Sequence, residues 1–250
     1  MHITSLYRYP VKGLSPEPVA RLDLAPGAFV PGDRIYAVEN GASGFNSEAP
    51  VHIPKVAFLC LMKNARLAAL RTAYDHETGV LTLAAPDGER IAANLGTAEG
   101  RAAVEEFLTG FMGEERRGDL RVLAAPGHSF ADTGRTLVSF INLASVAALG
   151  TMAGAELDPL RFRANAYLTG LEPWAELDFL DREARLGAVR LRFVKLTKRC
   201  AATSVDPATG IRDLDLPATL LANLGHMNCG IYAEVIEGGT IRPGDVLDLA

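Results

Sequence analysis

A single thiol directly follows two cationic side chains, in the order Lys198, Arg199 and Cys200. The residues before them alternate in type, which predicts a half-buried strand whose inward side carries Val189, Leu191, Phe193 and Lys195. The sequence Asp-Pro-Ala-Thr-Gly at 206–210 is typical of a turn. Two cations beside a thiol favour the thiolate, which is both the nucleophilic and the metal-binding form of cysteine. Residues 189–210 therefore hold either a chemical site at the end of a strand or a coincidence of surface charges, and the rest of the chain has to decide.

The sequence context of Cys200 leaves three chemical uses open. As a nucleophile it needs a base such as His128 or His226, and no spacing selects either histidine. As a zinc ligand it would join His226 and Cys229, which form a His-x-x-Cys pair. As the one protein ligand of a soft transition metal that an organic cofactor already chelates, it needs no second cysteine. The neighbouring cations would then bind negative charges of the cofactor, because arginine contacts phosphate in a bidentate manner.

The other two cysteines, Cys60 and Cys229, lie in apolar runs and are expected to be small core residues. Three irregularly spaced cysteines do not make a disulfide framework, so we expect a reducing, cytoplasmic compartment.

Residues 1–13 contain no long apolar stretch, and we expect no signal peptide. No run of about 18 uncharged apolar residues occurs, so we expect no membrane partner.

The overall composition is that of an ordinary soluble globular protein. Of the 250 residues, 48% are hydrophobic and 22% are charged. The formal net charge is −5, which argues against a general nucleic-acid-binding protein. Cations can nevertheless concentrate in one pocket, so the charge balance leaves a local anion site open.

Helical patterns are few, and short alternating runs are many. Apolar spacing or content predicts helices at 55–65, 98–112, 143–149 and 216–224. Runs bounded by glycine and proline predict strands through most of the remaining chain. Because no regular β-α-β alternation occurs, we predict a mainly β fold with some α, rich in β-barrel structure. The charged, glycine-bounded segment 113–118 is the best boundary between two parts.

Lys12 and Arg34 each lie beside a glycine-containing turn in the first half of the chain. They are either solvated loop cations or members of a binding site, and composition alone favours the first.

Asn142 lies between a predicted strand and the helix predicted from Leu143. An asparagine there can cap the helix, and a helix N-terminus can also bind an anion.

Three polar residues, Arg161, Arg163 and Asn165, occupy alternate positions of a segment that we predict to be extended over 158–170. Side chains at alternate positions of a strand point to one face. That face either contacts solvent or lines a polar cleft.

These pieces together resemble the MOSC family, the molybdenum-cofactor sulfurase C-terminal domain proteins. The resemblance covers nearly the whole chain and rests on the order and spacing of short motifs. In the first half, Tyr9-Pro10-Val11-Lys12-Gly13 and Gly32-Asp33-Arg34 are similar to the β-barrel module that precedes the MOSC domain. In the second half the motifs are Ile141–Ser145, Arg161–Asn165, Arg199-Cys200, Val205–Gly210 and Gly238–Asp245.

The resemblance implies an N-terminal β-barrel-like α+β module over residues 1–115 and a β-barrel MOSC domain over residues 116–250. A molybdenum-pterin cofactor (molybdopterin with molybdenum) would lie between them. Cys200 would be the catalytic residue and the protein ligand of the metal. The residues implied to bind the cofactor are Lys12, Arg34, Asn142, Ser145, Arg163, Asn165, Lys198, Arg199 and Tyr232.

Three positions depart from the pattern of the amidoxime-reducing members of the family. Gly13 and Lys198 stand where those reductases often carry serine, and Ala164 replaces a proline. The departures concern the pocket and leave Cys200 unchanged.

The resemblance implies an oxidoreductase that reduces small N-hydroxylated compounds. The sequence contains no Gly-x-Gly-x-x-Gly turn and no cysteine cluster, so we expect electrons from a separate flavin or iron–sulfur reductase. The alternative is a sulfur-carrier or cofactor-handling protein with a persulfide on Cys200. A third hypothesis is a non-catalytic module that binds small anions.

Overall fold

Short extended segments dominate the computed structural model, which describes residues 1–250. The strands are β1 His2–Arg8, β2 Glu17–Val19, β3 Leu22–Leu24, β4 Tyr36–Asn40, β5 Arg71–Tyr74, β6 Val80–Ala84, β7 Arg90–Asn94, β8 Leu120–Ala124, β9 Val138–Asn142, β10 Ala166–Thr169, β11 Glu183–Leu186, β12 Val189–Lys198, β13 Asn228–Glu237, β14 Gly239–Ile241 and β15 Leu247–Leu249. The α-helices are α1 Ala98–Met112, α2 Leu143–Ala153 and α3 Leu216–Leu224. Short 3-10 segments cover Lys55–Ala57, Ala65–Ala69, Gly113–Glu115, Pro159–Phe162 and Ala175–Phe179. The predicted fold class, mainly β with some α, is confirmed.

The largest sheet has eight strands in the order β15-β11-β12-β13-β9-β10-β1-β2. Its pairs are antiparallel except for β9 and β10, which α2 connects as a parallel crossover. The sheet curls until its ends meet. The amide of Ile3 donates to the carbonyl of Asp245 at 3.0 Å, and the amide of Leu247 donates to Met1 at 3.0 Å. These bonds join β15 to β1, so the seven strands β15-β11-β12-β13-β9-β10-β1 of this sheet form a ring.

Apolar side chains from alternate strand positions fill this ring. Val189, Leu191 and Phe193 of β12 are all fully buried there, as the alternation predicts. Burying each such side chain contributes roughly 1.5–3 kcal/mol. The packing fixes the register of β12, because a slip by one residue would turn these side chains to solvent.

The alternation of β12 changes after Phe193, and the prediction that Lys195 faces inward is wrong. The pairing of β12 with β13 shifts register between Phe193 and Lys195. Such a bulge inserts an unpaired residue and redirects the side chains that follow. Lys195 and Lys198 are exposed, whereas Arg199 is buried. A second shift of register follows between Leu196 and Lys198, and Thr197 is buried together with Arg199.

The other large core lies in the first half of the chain. Strands β5, β6 and β7 form an antiparallel meander, β4 pairs with β8, and α1 packs against these elements. The Thr97 hydroxyl caps α1 by accepting from the amide of Gly100 at 3.0 Å. The helix buries Val104, Phe107 and Leu108 toward this core. None of the helices is long and apolar enough to cross a membrane.

The two halves of the sequence share their sheets. Strands β1 and β2 belong to the eight-stranded sheet of the second half, and β3 pairs with β14. In the opposite direction, Val205 contributes to the core of the first half. The division into domains at residue 115 stays a prediction.

The helix predicted over 55–65 is wrong. Only 55–57 and Ala65 lie in 3-10 turns, and the chain between them is irregular. Phe58 forms an isolated bridge with Glu39, and the amide of Leu59 donates to Val38 at 2.8 Å. Pairing with the edge of β4 therefore overrides the helical tendency of this apolar segment.

The strand predicted over 158–170 is correct only at its end. Asp158 accepts from the amide of Leu160 at 2.8 Å and starts a 3-10 turn with Pro159. Arg163 then adopts a left-handed conformation with φ of 51°, and β10 begins at Ala166. Arg161, Arg163 and Asn165 are thus positioned by a turn and not by a strand face.

We predict opposite stability effects for two glycine-to-alanine changes in α1. Alanine is the better helix former by about 0.8–1 kcal/mol. A methyl group added at Gly110 would have no atom within 4 Å, so Gly110→Ala should raise the free energy of unfolding by roughly 0.5–1 kcal/mol. At Gly100 the added carbon would lie 1.9 Å from the carbonyl oxygen of Asn94, so Gly100→Ala should lower it by about 1–3 kcal/mol. Urea unfolding measures both; equal effects would contradict the close approach of α1 to β7.

Candidate functional site

A cleft between the two halves of the chain gathers most of the side chains that the sequence indicates. Its volume is about 930 Å³, including its open mouth. The first half contributes the loops around Lys12 and Arg34, and the second half contributes the turn at Arg163 and the end of β12. Eight of the ten predicted site residues line it: Lys12, Arg34, Arg163, Asn165, Lys198, Arg199, Cys200 and Tyr232.

The lining of the cleft is strongly cationic although the whole chain carries a net charge of −5. Its cations are Lys12, Arg34, Lys55, Arg161, Arg163, Lys198 and Arg199, and its carboxylates are Asp33 and Asp132. An excess of this size in a concave, partly buried site attracts anions and raises their local concentration.

The side chains of Asn142 and Ser145 do not line the cleft. Both donate to the buried carboxylate of Glu176, at 3.0 and 2.7 Å. The amide of Gly230 also donates to this carboxylate, at 3.2 Å. Asn142 caps α2 as predicted, by accepting from the amide of Ala144 at 3.0 Å. Asn142 and Ser145 are therefore engaged with another side chain of the protein, Glu176.

Two arginines approach the ring of Tyr9. The guanidinium carbons of Arg34 and Arg163 lie 4.7 and 4.2 Å from its centroid, within the range of cation–π contact. Both arginines have left-handed backbones, with φ of 52° and 51°. Residues other than glycine rarely adopt that conformation, and it concentrates at functional sites.

Hydrogen bonds hold the two guanidinium groups in position. Arg34 pairs with Asp33 and donates to the carbonyl of Arg163 at 3.1 Å. Arg163 donates to the carbonyl of Leu14 at 2.9 Å. Burial lowers the pKa of Arg163, and the nearby Arg34 adds to that effect, while Tyr9 opposes it. For Arg34 burial also favours the neutral form, but Asp33, Tyr9 and Asp132 together outweigh burial and raise the pKa.

A chain of contacts leads from Lys12 to Cys200. The Lys12 ammonium donates to Asp132 at 2.6 Å and to the carbonyl of Phe130 at 2.8 Å. The second oxygen of Asp132 accepts from Lys55 at 2.7 Å. The Lys55 ammonium in turn lies 3.4 Å from the sulfur of Cys200. One carboxylate thus fixes two cations, and one of these touches the thiol.

The pKa shifts follow from this arrangement. Burial alone would raise the pKa of Asp132, but Lys12 and Lys55 outweigh it and hold the pKa well below the usual range. Burial lowers the pKa of Lys12 despite Asp132. Burial would also lower the pKa of Lys55, but the neighbouring Asp132 and Cys200 outweigh burial and raise that pKa. Asp132 therefore stays a carboxylate and Lys55 an ammonium over the whole physiological pH range.

Arg161 and Arg199 support the walls of the cleft. Arg161 forms a bidentate contact with Asp213, at 2.8 and 2.6 Å, and a further contact with Asp206 at 3.1 Å. Arg199 donates to the carbonyls of Cys229 at 2.6 Å and Phe162 at 2.9 Å. These contacts tie the turn before β10 to the loops that follow Cys200.

Three buried side-chain polar atoms of the chain have no hydrogen-bond partner, and all three belong to residues that line this cleft. They are Nε of Arg161, Nη2 of Arg163 and the hydroxyl of Thr197. Leaving such a group unpaired costs about 1–3 kcal/mol, and more if it is charged. Residues that line the cleft therefore carry two cationic donors and a hydroxyl that the chain itself leaves unpaired.

Two of the three uses that the sequence left open for Cys200 find no partner residues. No group of three His, Cys, Asp or Glu side chains is arranged to hold a metal ion, so the zinc set with His226 and Cys229 does not form. Burial raises the pKa of the Cys229 thiol to about 12, in keeping with its predicted core role. Neither His226 nor His128 lines the cleft, so no histidine is in place to act as a base.

Sequence reasoning missed two residues of the site, Lys55 and Asp132. The apolar pattern places Lys55 at the start of a predicted helix, where nothing marks it as a site residue. Asp132 lies in the polar loop 127–134 and carries no motif. Their pairing joins residues 77 apart in sequence, so no local pattern could reveal it.

The chain matches two family models. The model described as MOSC domain matches residues 127–248, and the model described as MOSC N-terminal beta barrel domain matches residues 1–116. A curated relative, mitochondrial amidoxime-reducing component 1 of Homo sapiens, is 29% identical over 131 residues. That match covers 47% of this chain and 37% of the relative, so the chain matches about a third of the relative's length.

Two solved structures show a distant likeness. The YuaD protein of Bacillus subtilis is 14% identical, with coverage of 99% of this chain and 94% of that one and a TM-score of 0.46. YiiM of Geobacillus stearothermophilus is 21% identical, with coverage of 45% and 53% and a TM-score of 0.36. At TM-scores below 0.5 neither structure decides the fold. The two family models together cover nearly all of the sequence, and the chain belongs to the MOSC-domain family.

Proposed function

We propose that this protein binds a molybdenum-pterin cofactor and reduces small N-hydroxylated compounds. The observation that carries the proposal is the set of unpaired buried donors in the cationic cleft, on Arg161, Arg163 and Thr197. A ligand with phosphate and ring acceptors would satisfy them. The name of the human relative, an amidoxime-reducing component, supports reduction of an N–O bond as the reaction.

The residues divide by what they can do for the cofactor. Cys200 would supply the thiolate ligand to molybdenum, a soft donor suited to that metal. Arg34 and Arg163 would bind phosphate oxygens, and Lys12 would add a further positive charge to the same cleft. When bound, the cofactor supplies a metal that exchanges two electrons. Asp132 would keep the Lys55 ammonium beside the sulfur of Cys200 that ligates the metal.

Electrons for each cycle would come from another protein. The chain carries no nicotinamide, flavin or iron–sulfur motif. A flavin or iron–sulfur reductase is the class of partner that we propose, docking over a small surface as electron-transfer proteins do.

The alternative function is sulfur transfer through a persulfide on Cys200. One observation favours it: the thiol is partly exposed and contacts a cation, the environment of a reactive cysteine. Both functions need the same thiolate. They are distinguished by the metal content of the protein and by the species that the sulfur of Cys200 carries.

Replacement of the thiol tests the ligand. Cys200→Ser should lose molybdenum and activity with little loss of fold, because a neutral hydroxyl is a poor donor to a soft metal. Cys229→Ala is the matched control, since that cysteine is buried in an apolar cluster away from the cleft lining. Protein from a host that makes the cofactor is assayed for metal by mass spectrometry. Full molybdenum content in Cys200→Ser would disprove the assignment.

Replacement of a cleft arginine tests cofactor retention. Arg163→Ala should weaken cofactor binding about tenfold to a hundredfold, because a charge-assisted hydrogen bond contributes roughly 1.5–3 kcal/mol. Arg185→Ala removes an arginine whose side chain is 64% exposed and should have no effect. Pterin fluorescence after oxidation measures the cofactor that remains after dilution and gel filtration. Equal retention in both variants would show that Arg163 is not a cofactor ligand.

An artificial electron donor tests the reaction. Cofactor-loaded protein should not turn over with NADH or NADPH alone, but reduced viologen should support reduction of hydroxylamines or amidoximes. Product formation from a panel of N-hydroxylated bases is the measurement. Absence of turnover with viologen, together with a persulfide on Cys200 in the mass spectrum, would favour sulfur transfer instead.

A further inference from the structure

We propose that the mouth of the cleft selects substrates that carry a negative charge beside the reacting group. The class is N-hydroxylated compounds that also bear a carboxylate or another oxyanion. The identity of the reaction rests on the function proposed above, whereas the selection of anions rests on side chains of this chain alone.

A cation is held against the thiol at the mouth. The Lys55 ammonium lies 3.4 Å from the sulfur of Cys200 and 2.7 Å from Asp132. Its side chain is 28% exposed, so it contacts the thiol and also remains accessible to solvent. Because Asp132 anchors it, the positive charge stays at the mouth.

The charges around Cys200 do not cancel. Asp132 is shared by Lys12 and Lys55, so one of their two positive charges remains to balance a thiolate at Cys200. Lys198 lines the same cleft, is exposed, and has no carboxylate within 4.0 Å. Arg199, next to the thiol in sequence, donates to backbone carbonyls and keeps its charge uncompensated. The remaining carboxylate of the lining, Asp33, is paired with Arg34.

A positive mouth with partly buried walls discriminates by charge. An anion gains from Lys55 and Lys198 together, and a cation of the same size is repelled by both. A carboxylate near the N–O group would contact these ammonium groups while the N–O end points into the cleft. Cationic N-hydroxylated bases would bind more weakly for the same reason.

Alkylation of Cys200 measures this selection without any cofactor. Iodoacetate and iodoacetamide are similar in size, and both lose iodide to the thiolate; the first is an anion and the second is neutral. The ratio of their rates cancels the thiolate fraction, so it reports the charge at the mouth. We expect the ratio at Cys200 to be about two- to fivefold higher in folded protein than in urea, and to fall as salt screens the lysines. Peptide mass mapping assigns the label to Cys200.

Variants of the mouth should change the ratio in predictable directions. Lys198→Ala and Lys55→Gln should each lower it, because each change removes a positive charge from the lining of the cleft. Lys195→Ala is the matched control, since Lys195 is exposed on the same strand but does not line the cleft. Thermal unfolding confirms that each variant is folded.

Three results would overturn the proposal: equal ratios in folded and unfolded protein, an equal effect of Lys195→Ala and Lys198→Ala, or no labelling of Cys200 by either reagent.

A further assay separates anion selection from the reductase proposal. With cofactor and reduced viologen, a carboxylated benzamidoxime should show a lower KM than the uncharged parent compound. A raised alkylation ratio without any reduction would leave anion selection standing and refute the reductase function. Reduction without a preference for the carboxylated compound would support the reductase function and refute anion selection.

Discussion

The architecture of the cleft depends on holding two guanidinium groups of like charge at one aromatic ring. Arg34 and Arg163 repel each other, and burial opposes the charge of both. Three contacts offset this cost: the Asp33 carboxylate on Arg34, the face of Tyr9 beneath both, and the Arg163 carbonyl that accepts from Arg34. Asp33 also accepts from the amide of Tyr9 at 2.8 Å, so the acid that neutralises one arginine also fixes the ring.

The same contacts join the two halves of the chain. Arg163 donates to Leu14 in the first half, Arg34 donates to Arg163 in the second, and Lys12 reaches the carbonyl of Phe130. Because these partners are backbone carbonyls, they hold the loops as well as the side chains. Strands β1 and β3 already belong to sheets of the second half, so the cleft forms where the chain crosses between its halves. The cleft therefore forms only when both halves of the chain are folded together.

The sequence indicated several side chains that line the cleft, but it did not indicate the backbone that carries them. Arg163 and Asn165 reach the cleft, but through a 3-10 turn and a left-handed residue that no alternating pattern indicates. The ends of α1 were predictable because Thr97 caps it and glycine follows it. Segment 55–65 was not, since a strand partner far away in sequence decides its conformation. Lys55 and Asp132 were missed for the same reason: their contact is purely tertiary.

The unpaired donors explain why such a costly charge cluster persists. Nη2 of Arg163, Nε of Arg161 and the Thr197 hydroxyl each lose hydration without gaining a partner in the chain. An apolar lining would be more stable for an empty pocket, so the fold alone gives no reason for these groups. A ligand that binds only the folded chain recovers the lost hydrogen bonds and stabilises the fold by mass action. The stability of the protein and the occupancy of its cleft should then rise together, because the same arginines contribute to both.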